Sequence, residues 1–208
     1  MLAKILSGTV VGLEAVPVTV EVDIASQGLP SFTIVGLPDK AVEESRERVR
    51  AAIKNSGAEF PAKRITVNLA PANLPKVGPA YDLPIALGIL IASGQLAPLP
   101  QSALFIGELS LDGSVRHTNG ILPLAMLVKE SRITGGFFVP ASDAVEAAVI
   151  GGIFVYSVTS LLTLFHHLSG NIPLFPLPHL AFADVPLPVG FEFDMADVAG
   201  QEQVKRAL

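Results

Sequence analysis

Arg64-Ile65-Thr66-Val67-Asn68-Leu69-Ala70 runs into a proline-rich loop at 71–81 and then into Asp82-Leu83-Pro84-Ile85-Ala86-Leu87-Gly88-Ile89-Leu90-Ile91-Ala92-Ser93. The first segment is β-branched and predicts a strand. The last is apolar and predicts a helix, with Asp82 as a natural cap. Upstream, residues 4–11 and 16–24 alternate apolar and polar about Gly12-Leu13-Glu14, the pattern of a β-hairpin. Residues 31–35 predict a third short strand, ended by Gly36-Leu37-Pro38. Asp39 then caps a helix running to about Ser56, with Gly57 a fitting residue just past its end. Downstream, 103–108 reads as a buried strand and Asp112-Gly113 as a hairpin turn. Helices at 120–130, 143–149 and 159–168 alternate with strands at 136–139 and 153–156. Early strands followed by this alternation predict a mixed α/β domain.

The 208 residues are 50% hydrophobic and 16% charged, which excludes a disordered chain and permits a sizeable core. There is no cysteine, so disulfides, zinc fingers, iron–sulfur sites and thiol catalysis are excluded together. A reducing cytoplasm fits that composition. The N-terminus has no long apolar run and predicts no signal peptide. Residues 147–165 carry no formal charge and are long enough to suggest a membrane span. Gly151-Gly152 and Tyr156-Ser157 interrupt them, however, and a buried strand followed by an apolar helix is the expected reading.

Net charge is −5, but seven of the fourteen basic residues fall within 40–64: Lys40, Arg46, Arg48, Arg50, Lys54, Lys63 and Arg64. The remainder is clearly acidic. On the helix from Asp39, the residues Val42, Val49, Ala52 and Ile53 form a buried face, and Arg46, Arg50 and Lys54 recur every fourth position as a positive ridge beside it. Glu44 and Arg48 read as a solvated i, i+4 pair. The ridge is either a solvated flank or a contact for phosphate or a partner protein. A third possibility turns Arg46 and Arg50 inward onto carboxylates such as Asp23 or Asp82.

Residues 171–190 contain five prolines and read as an extended linker. Residues 194–202 then begin a new helix, of which 201–208 supply only two turns, too short to stand alone, so the chain is expected to come from something longer. No Gly-x-x-x-x-Gly-Lys-Ser/Thr segment and no Gly-x-Ser-x-Gly elbow occurs. The histidines, His117, His166, His167 and His179, have no ligand spacing, and no metal site is expected. The loop Pro75-Lys76-Val77-Gly78-Pro79-Ala80-Tyr81 enters its helix from a Gly/Pro turn. Backbone N–H groups there favour an anion or oxyanion, unless the turn is merely structural.

Six ordered segments carry a resemblance. They are Pro17–Asp23, Ile34–Asp39, Glu44–Ile53, Ile65–Ala72, Gly78–Leu87 and Gly107–Gly113. Together they closely resemble the N-terminal region of the ComM/YifB-type, magnesium-chelatase-like AAA+ ATPases, over essentially the whole chain. The resemblance implies an α/β (α+β) fold of the Lon-protease-like, ribosomal-protein-domain-2-like kind over residues 1–170, a mixed sheet with packed helices. It also implies that 171–190 is a linker and that 191–208 is the start of an AAA+ module. That module, in a homo-oligomeric and expectedly hexameric ring, would bind ATP and Mg; no cofactor is expected within these residues. Relatives linked to competence are regarded as helicases acting on branched DNA during recombination.

Lon uses a Ser/Lys pair, with the serine in a Pro-Lys-Asp-Gly-Pro-Ser-Ala-Gly segment. Pro75-Lys76-Val77-Gly78-Pro79-Ala80 keeps that frame with Ala80 at the nucleophile position, and the lysine position falls on Leu122. Without hydroxyl and amine no nucleophilic mechanism is available, and this chain is expected not to be an enzyme by itself. Three readings follow. One is a cytoplasmic, non-catalytic accessory domain touching branched or single-stranded DNA, or a protein partner, through Arg46, Arg48, Arg50, Lys54 and Lys76. The others are a ring-assembly module without a nucleic-acid role and, remotely, a peptidase with a relocated dyad. None involves a membrane.

Overall fold

The structure, a computed structural model, describes residues 2–99, 102–185 and 195–207. β1 (Leu2–Val11) and β2 (Glu14–Ile24) form the expected hairpin, in antiparallel register from Leu2 opposite Asp23 to Val11 opposite Glu14. Along β2, Val18, Val20, Val22 and Ile24 are buried, as period-two patterning requires when one side faces a core. β4 (Arg64–Ala70) lies between β2, antiparallel, and β3 (Ser31–Val35), parallel. On the other side of β1 come β5 (Leu104–Phe105), β8 (Phe137–Pro140) and β9 (Val155–Val158), all parallel, giving a mixed sheet of order β3-β4-β2-β1-β5-β8-β9.

Helices cover both faces. α1 (Lys40–Asn55), α2 (Asp82–Ala92) and α5 (Leu161–Leu168) share one apolar cluster with Val20, Val22 and Phe138. α3 (Ile121–Glu130) and α4 (Ala144–Ala148) share the other with Leu104, Phe137 and Val139. The neighbours Phe137 and Phe138 therefore serve opposite faces of one strand. Every residue of α2 is buried, the condition of a helix that is hydrophobic all round. Gly88 lets it approach the sheet: a Cβ there would stand 2.4 Å from Val22 Cγ2.

Two expectations need correction. The strand expected at 103–108 splits after β5, and Glu108–Leu109 (β6) pairs instead with Val115–Arg116 (β7) in a separate ribbon closed by Asp112-Gly113. Gly107 is the pivot: its N–H donates to the Ala80 carbonyl at 2.9 Å and its carbonyl accepts from the Leu83 N–H at 3.0 Å. The chain thus leaves the sheet to hold the start of α2. Asp82 does not cap α2 either: Tyr81 occupies the N-cap position and makes no side-chain cap bond, while Asp82 turns inward.

The proline-rich stretch is attached as far as Leu180. The Leu174 N–H donates to His167 Nδ1 at 2.9 Å, Leu177 bridges β9 at Val155, and the Leu180 N–H donates to the Ala148 carbonyl at 3.0 Å. This covers an edge strand that would otherwise offer unpaired backbone groups. Residues 186–190 of the expected linker, and 191–194 and Leu208 of the expected AAA+ segment, lie outside the described residues; α6 (Glu202–Ala207) lies within them. Among the described residues no helix is long and apolar enough to cross a membrane.

Gly36, between β3 and α1, has φ +103° and leaves only 2.3 Å between an added Cβ and the Leu69 carbonyl oxygen. Gly57, past α1, has φ +78° and open space. Gly36→Ala is therefore expected to cost at least about 2 kcal/mol, and Gly57→Ala about 1 kcal/mol. Urea denaturation of both variants checks this; equal losses would contradict it.

Candidate functional site

α1 begins at Asp39, whose Oδ1 accepts from the Val42 N–H at 2.8 Å. Its Oδ2 accepts from the Gly78 N–H at 3.0 Å, so one carboxylate caps the helix and holds the 75–81 loop. The Asp39 N–H donates to the Lys76 carbonyl at 3.0 Å and the Lys76 N–H to the Leu37 carbonyl at 3.1 Å. The two segments singled out in the sequence, 36–39 and 75–81, are thereby zipped together.

Asp82 ties them to the rest. Ser45 Oγ donates to its Oδ1; Arg48 Nε donates to its Oδ2 at 2.6 Å, and the same oxygen accepts from the Leu109 N–H at 3.2 Å. Arg48 Nη2 also donates to Asp82 Oδ1 at 3.1 Å and to the Ala41 carbonyl at 2.9 Å. Burial pushes the Asp82 carboxyl above its ordinary value, against the pull of Arg48, Ser45 and the Leu109 N–H. The hydrogen bond to Asp82 raises Arg48 further and keeps it cationic. Arg48 therefore leaves the solvated pair with Glu44 and the set of outward cations, and it takes the inward place considered for Arg46 and Arg50. Its position one turn from Ser45 carried no signal that Asp82 lay opposite. Lys76 leaves the set as well. It is buried, its Nζ donates to the Pro71 carbonyl, and burial without a carboxylate lowers its pKa.

Of the remaining cations of the ridge, Arg46 and Lys54 stay outside. Arg46 is exposed, with Nε donating to the Glu43 carbonyl at 3.0 Å. Lys54 is exposed in the last turn. Arg50 lies over the Phe60 ring at 5.2 Å from its centroid, and its Nε is buried without a hydrogen-bond partner.

Ala80 sits in a 3-10 turn, Pro79–Tyr81, that feeds directly into α2. It lines a cleft of about 560 Å³ with Thr9, Tyr81, Glu108, His117 and Asn119 among others. Leu122 does not line that cleft. It is exposed on the first turn of α3, its N–H donating to Glu146 Oε1 at 2.9 Å; Gly120 and Leu124 form the wall instead. The structure thus places Ala80 in a cleft but does not bring Leu122 to it. A methyl group there supplies no nucleophile.

One pair at this cleft escaped the sequence. His117 Nδ1 lies 2.6 Å from Asp143 Oδ1, and Asp143, buried, also accepts from the Thr118 N–H at 2.9 Å. Twenty-six residues separate the partners, and no local spacing joins them. The hydrogen bond to Asp143 raises the His117 pKa.

Against known proteins, residues 20–143 match the family of ChlI, described as subunit ChlI of Mg-chelatase. The chain is 40% identical over 210 residues to competence protein ComM of Haemophilus influenzae, and 43% identical over 209 residues to YifB of Salmonella typhimurium. In both cases all of this chain is covered and 40% of the relative. Over 201 residues it is 44% identical to YifB of Escherichia coli, covering 95% of this chain and 38% of that protein. The chain belongs to the ComM/YifB-type, Mg-chelatase-like family, and it spans about two-fifths of the length of these curated relatives.

Breaking the buried pair by Asp82→Ala leaves Arg48 and the Leu109 N–H without their acceptor. It is expected to cost about 3–5 kcal/mol, and the Arg48→Ala/Asp82→Ala double variant less than the sum of the singles. Additive losses in urea midpoints would contradict this. His117 carries the raised pKa in the folded state, so its contribution is complete below an unfolded value of about 6.5 and fades as pH rises through the folded value. The stability difference between wild type and His117→Asn should shrink from pH 6 to pH 8; a difference constant with pH would contradict it.

Proposed function

We propose that this chain is a non-catalytic accessory domain, Lon-protease-like in fold, of a ring-forming AAA+ ATPase of the ComM/YifB type, and that α1 is its contact with DNA. The observation that carries the reading is the division of α1. Arg48 is committed to Asp82, whereas Arg46, Arg50 and Lys54 form no ion pair with a described carboxylate. Exposed Glu43 and Glu47 offset part of the repulsion among these cations, and an external anion would offset the rest. A phosphate backbone does so on a body that is otherwise acidic. Ala80 supports the non-catalytic part, because a methyl group stands where acyl transfer on that frame needs a hydroxyl.

ATP and Mg belong, in this reading, to the part of the longer protein beyond these residues, since the sequence has no Walker segment to cradle a triphosphate. The parent assembles through that module into a homo-oligomeric ring acting on branched or single-stranded DNA in the cytoplasm. A second reading, a protein-interaction or ring-assembly surface, is favoured by Leu37 and Val77. They stand 57% and 69% exposed beside the Pro38–Lys76 bridge.

Arg46→Glu/Lys54→Glu in the full-length protein leaves the Phe60-packed Arg50 in place. It should raise the DNA concentration for half-maximal stimulation of ATP hydrolysis by about tenfold or more, with basal hydrolysis retained. Unchanged stimulation by a folded variant would overturn the DNA contact and leave the second reading. The 208-residue chain alone should hydrolyse neither ATP nor peptide; turnover by pure chain would overturn the accessory role.

A further inference from the structure

Between the C-terminal half of α1 and the start of the edge strand β3 lies a pocket of about 340 Å³, bordered by Ser31, Arg50, Lys54, Phe60, Pro61 and Lys63. Three cations border it and no carboxylate does. The nearest acid in sequence, Glu59, borders the adjacent depression on the other side of 61–63, where Gln95 binds both its backbone N–H and its carbonyl at 2.8 Å. Glu47, one turn before Arg50 on α1, is exposed.

Arg50 is held here by packing. The Phe60 ring supports its guanidinium, a second ring, Phe32, sits 5.8 Å from Phe60, and the buried Arg50 Nε has no hydrogen-bond partner among the described residues. Two residues earlier, Arg48 is consumed by Asp82, Ser45 and Ala41. An arginine fixed by an aromatic platform with its donors uncommitted is preorganised for an oxyanion. Lys54 and Lys63 add compact charge from the helix and from the segment before β4. The volume is at the small end for a ligand site.

We propose that this pocket is a phosphate seat, which takes a phosphate ester and, on the reading of α1 given above, a backbone phosphate of DNA. The other source of the same chemistry is a free nucleotide. The seat would fix where the strand meets the domain, at the Lys54 end of the ridge, and Arg46 would contact a neighbouring phosphate outside the pocket.

The Arg50 Nε–H resonance of the ¹⁵N-labelled 208-residue chain reports on the guanidinium that borders the pocket. Titration with a nucleoside monophosphate and, separately, with a fluorescein-labelled single-stranded oligonucleotide should move that resonance. Fluorescence anisotropy gives the oligonucleotide affinity in parallel. Lys63→Gln, at an exposed position, should weaken the oligonucleotide roughly tenfold and lower the salt slope by about one, with the rest of the spectrum preserved. Arg46→Gln should weaken the oligonucleotide while leaving the response to the monophosphate unchanged. A response to the monophosphate without oligonucleotide binding keeps the seat, assigns it to a nucleotide and overturns the DNA reading of α1. Oligonucleotide binding with the Arg50 resonance unmoved overturns the seat and leaves that reading standing. No response to either ligand overturns the seat.

Discussion

The Asp82 carboxylate, buried at the first turn of α2, is the constraint on which the rest of the arrangement hangs. It takes Ser45 and Arg48 from α1 and the Leu109 N–H from the β6 ribbon, so three segments distant in sequence share one charge. Burying that charge among apolar side chains is costly, and only the Arg48 guanidinium with the surrounding donors makes it tolerable. Such a pair adds little net stability over an apolar replacement. Its effect is on position, because α1 can lie only where Arg48 reaches Asp82.

That position determines the two candidate surfaces. With Arg48 turned inward, Arg46 and Lys54 remain exposed and Arg50 comes to rest on Phe60. Asp39, at the other end of the same helix, holds Gly78 and with it the turn carrying Ala80. The cleft and the basic ridge are thus opposite ends of one hydrogen-bonded framework running through α1. The cleft beside Ala80 thus shares its supports with α1.

Much of the fold was legible in the sequence. The hairpin about Gly12, the strand Arg64–Ala70 and the helix capped by Asp39 each rest on local rules, alternation and capping, that no distant contact overrides. That Asp82 would take Arg48 rather than cap its helix was not legible, although Asp82 was one of the carboxylates considered for Arg46 and Arg50. An acid at a helix start usually caps or interacts with the helix dipole, and only the tertiary approach of Ser45 and Arg48 turns it inward. The break after Phe105 escaped for the same reason, since Gly107 leaves the sheet to bond Ala80 and Leu83. At the candidate site, the spacing of Arg46, Arg50 and Lys54 was readable as a ridge, but the removal of Arg48 and Lys76 from it was not. The His117–Asp143 pair joins two loops and has no sequence signature at all.

On α1, Arg48 serves the fold, and Arg46 is the arginine proposed for ligand contact. Salt-dependent oligonucleotide binding and urea midpoints, measured together on Arg46→Gln and Arg48→Gln, test this division most directly. Arg46→Gln is expected to lower the salt slope by about one unit with an unchanged midpoint, and Arg48→Gln to lower the midpoint with the slope retained in the folded protein. A loss of slope in Arg48→Gln at full stability, or of stability in Arg46→Gln at full slope, would contradict it.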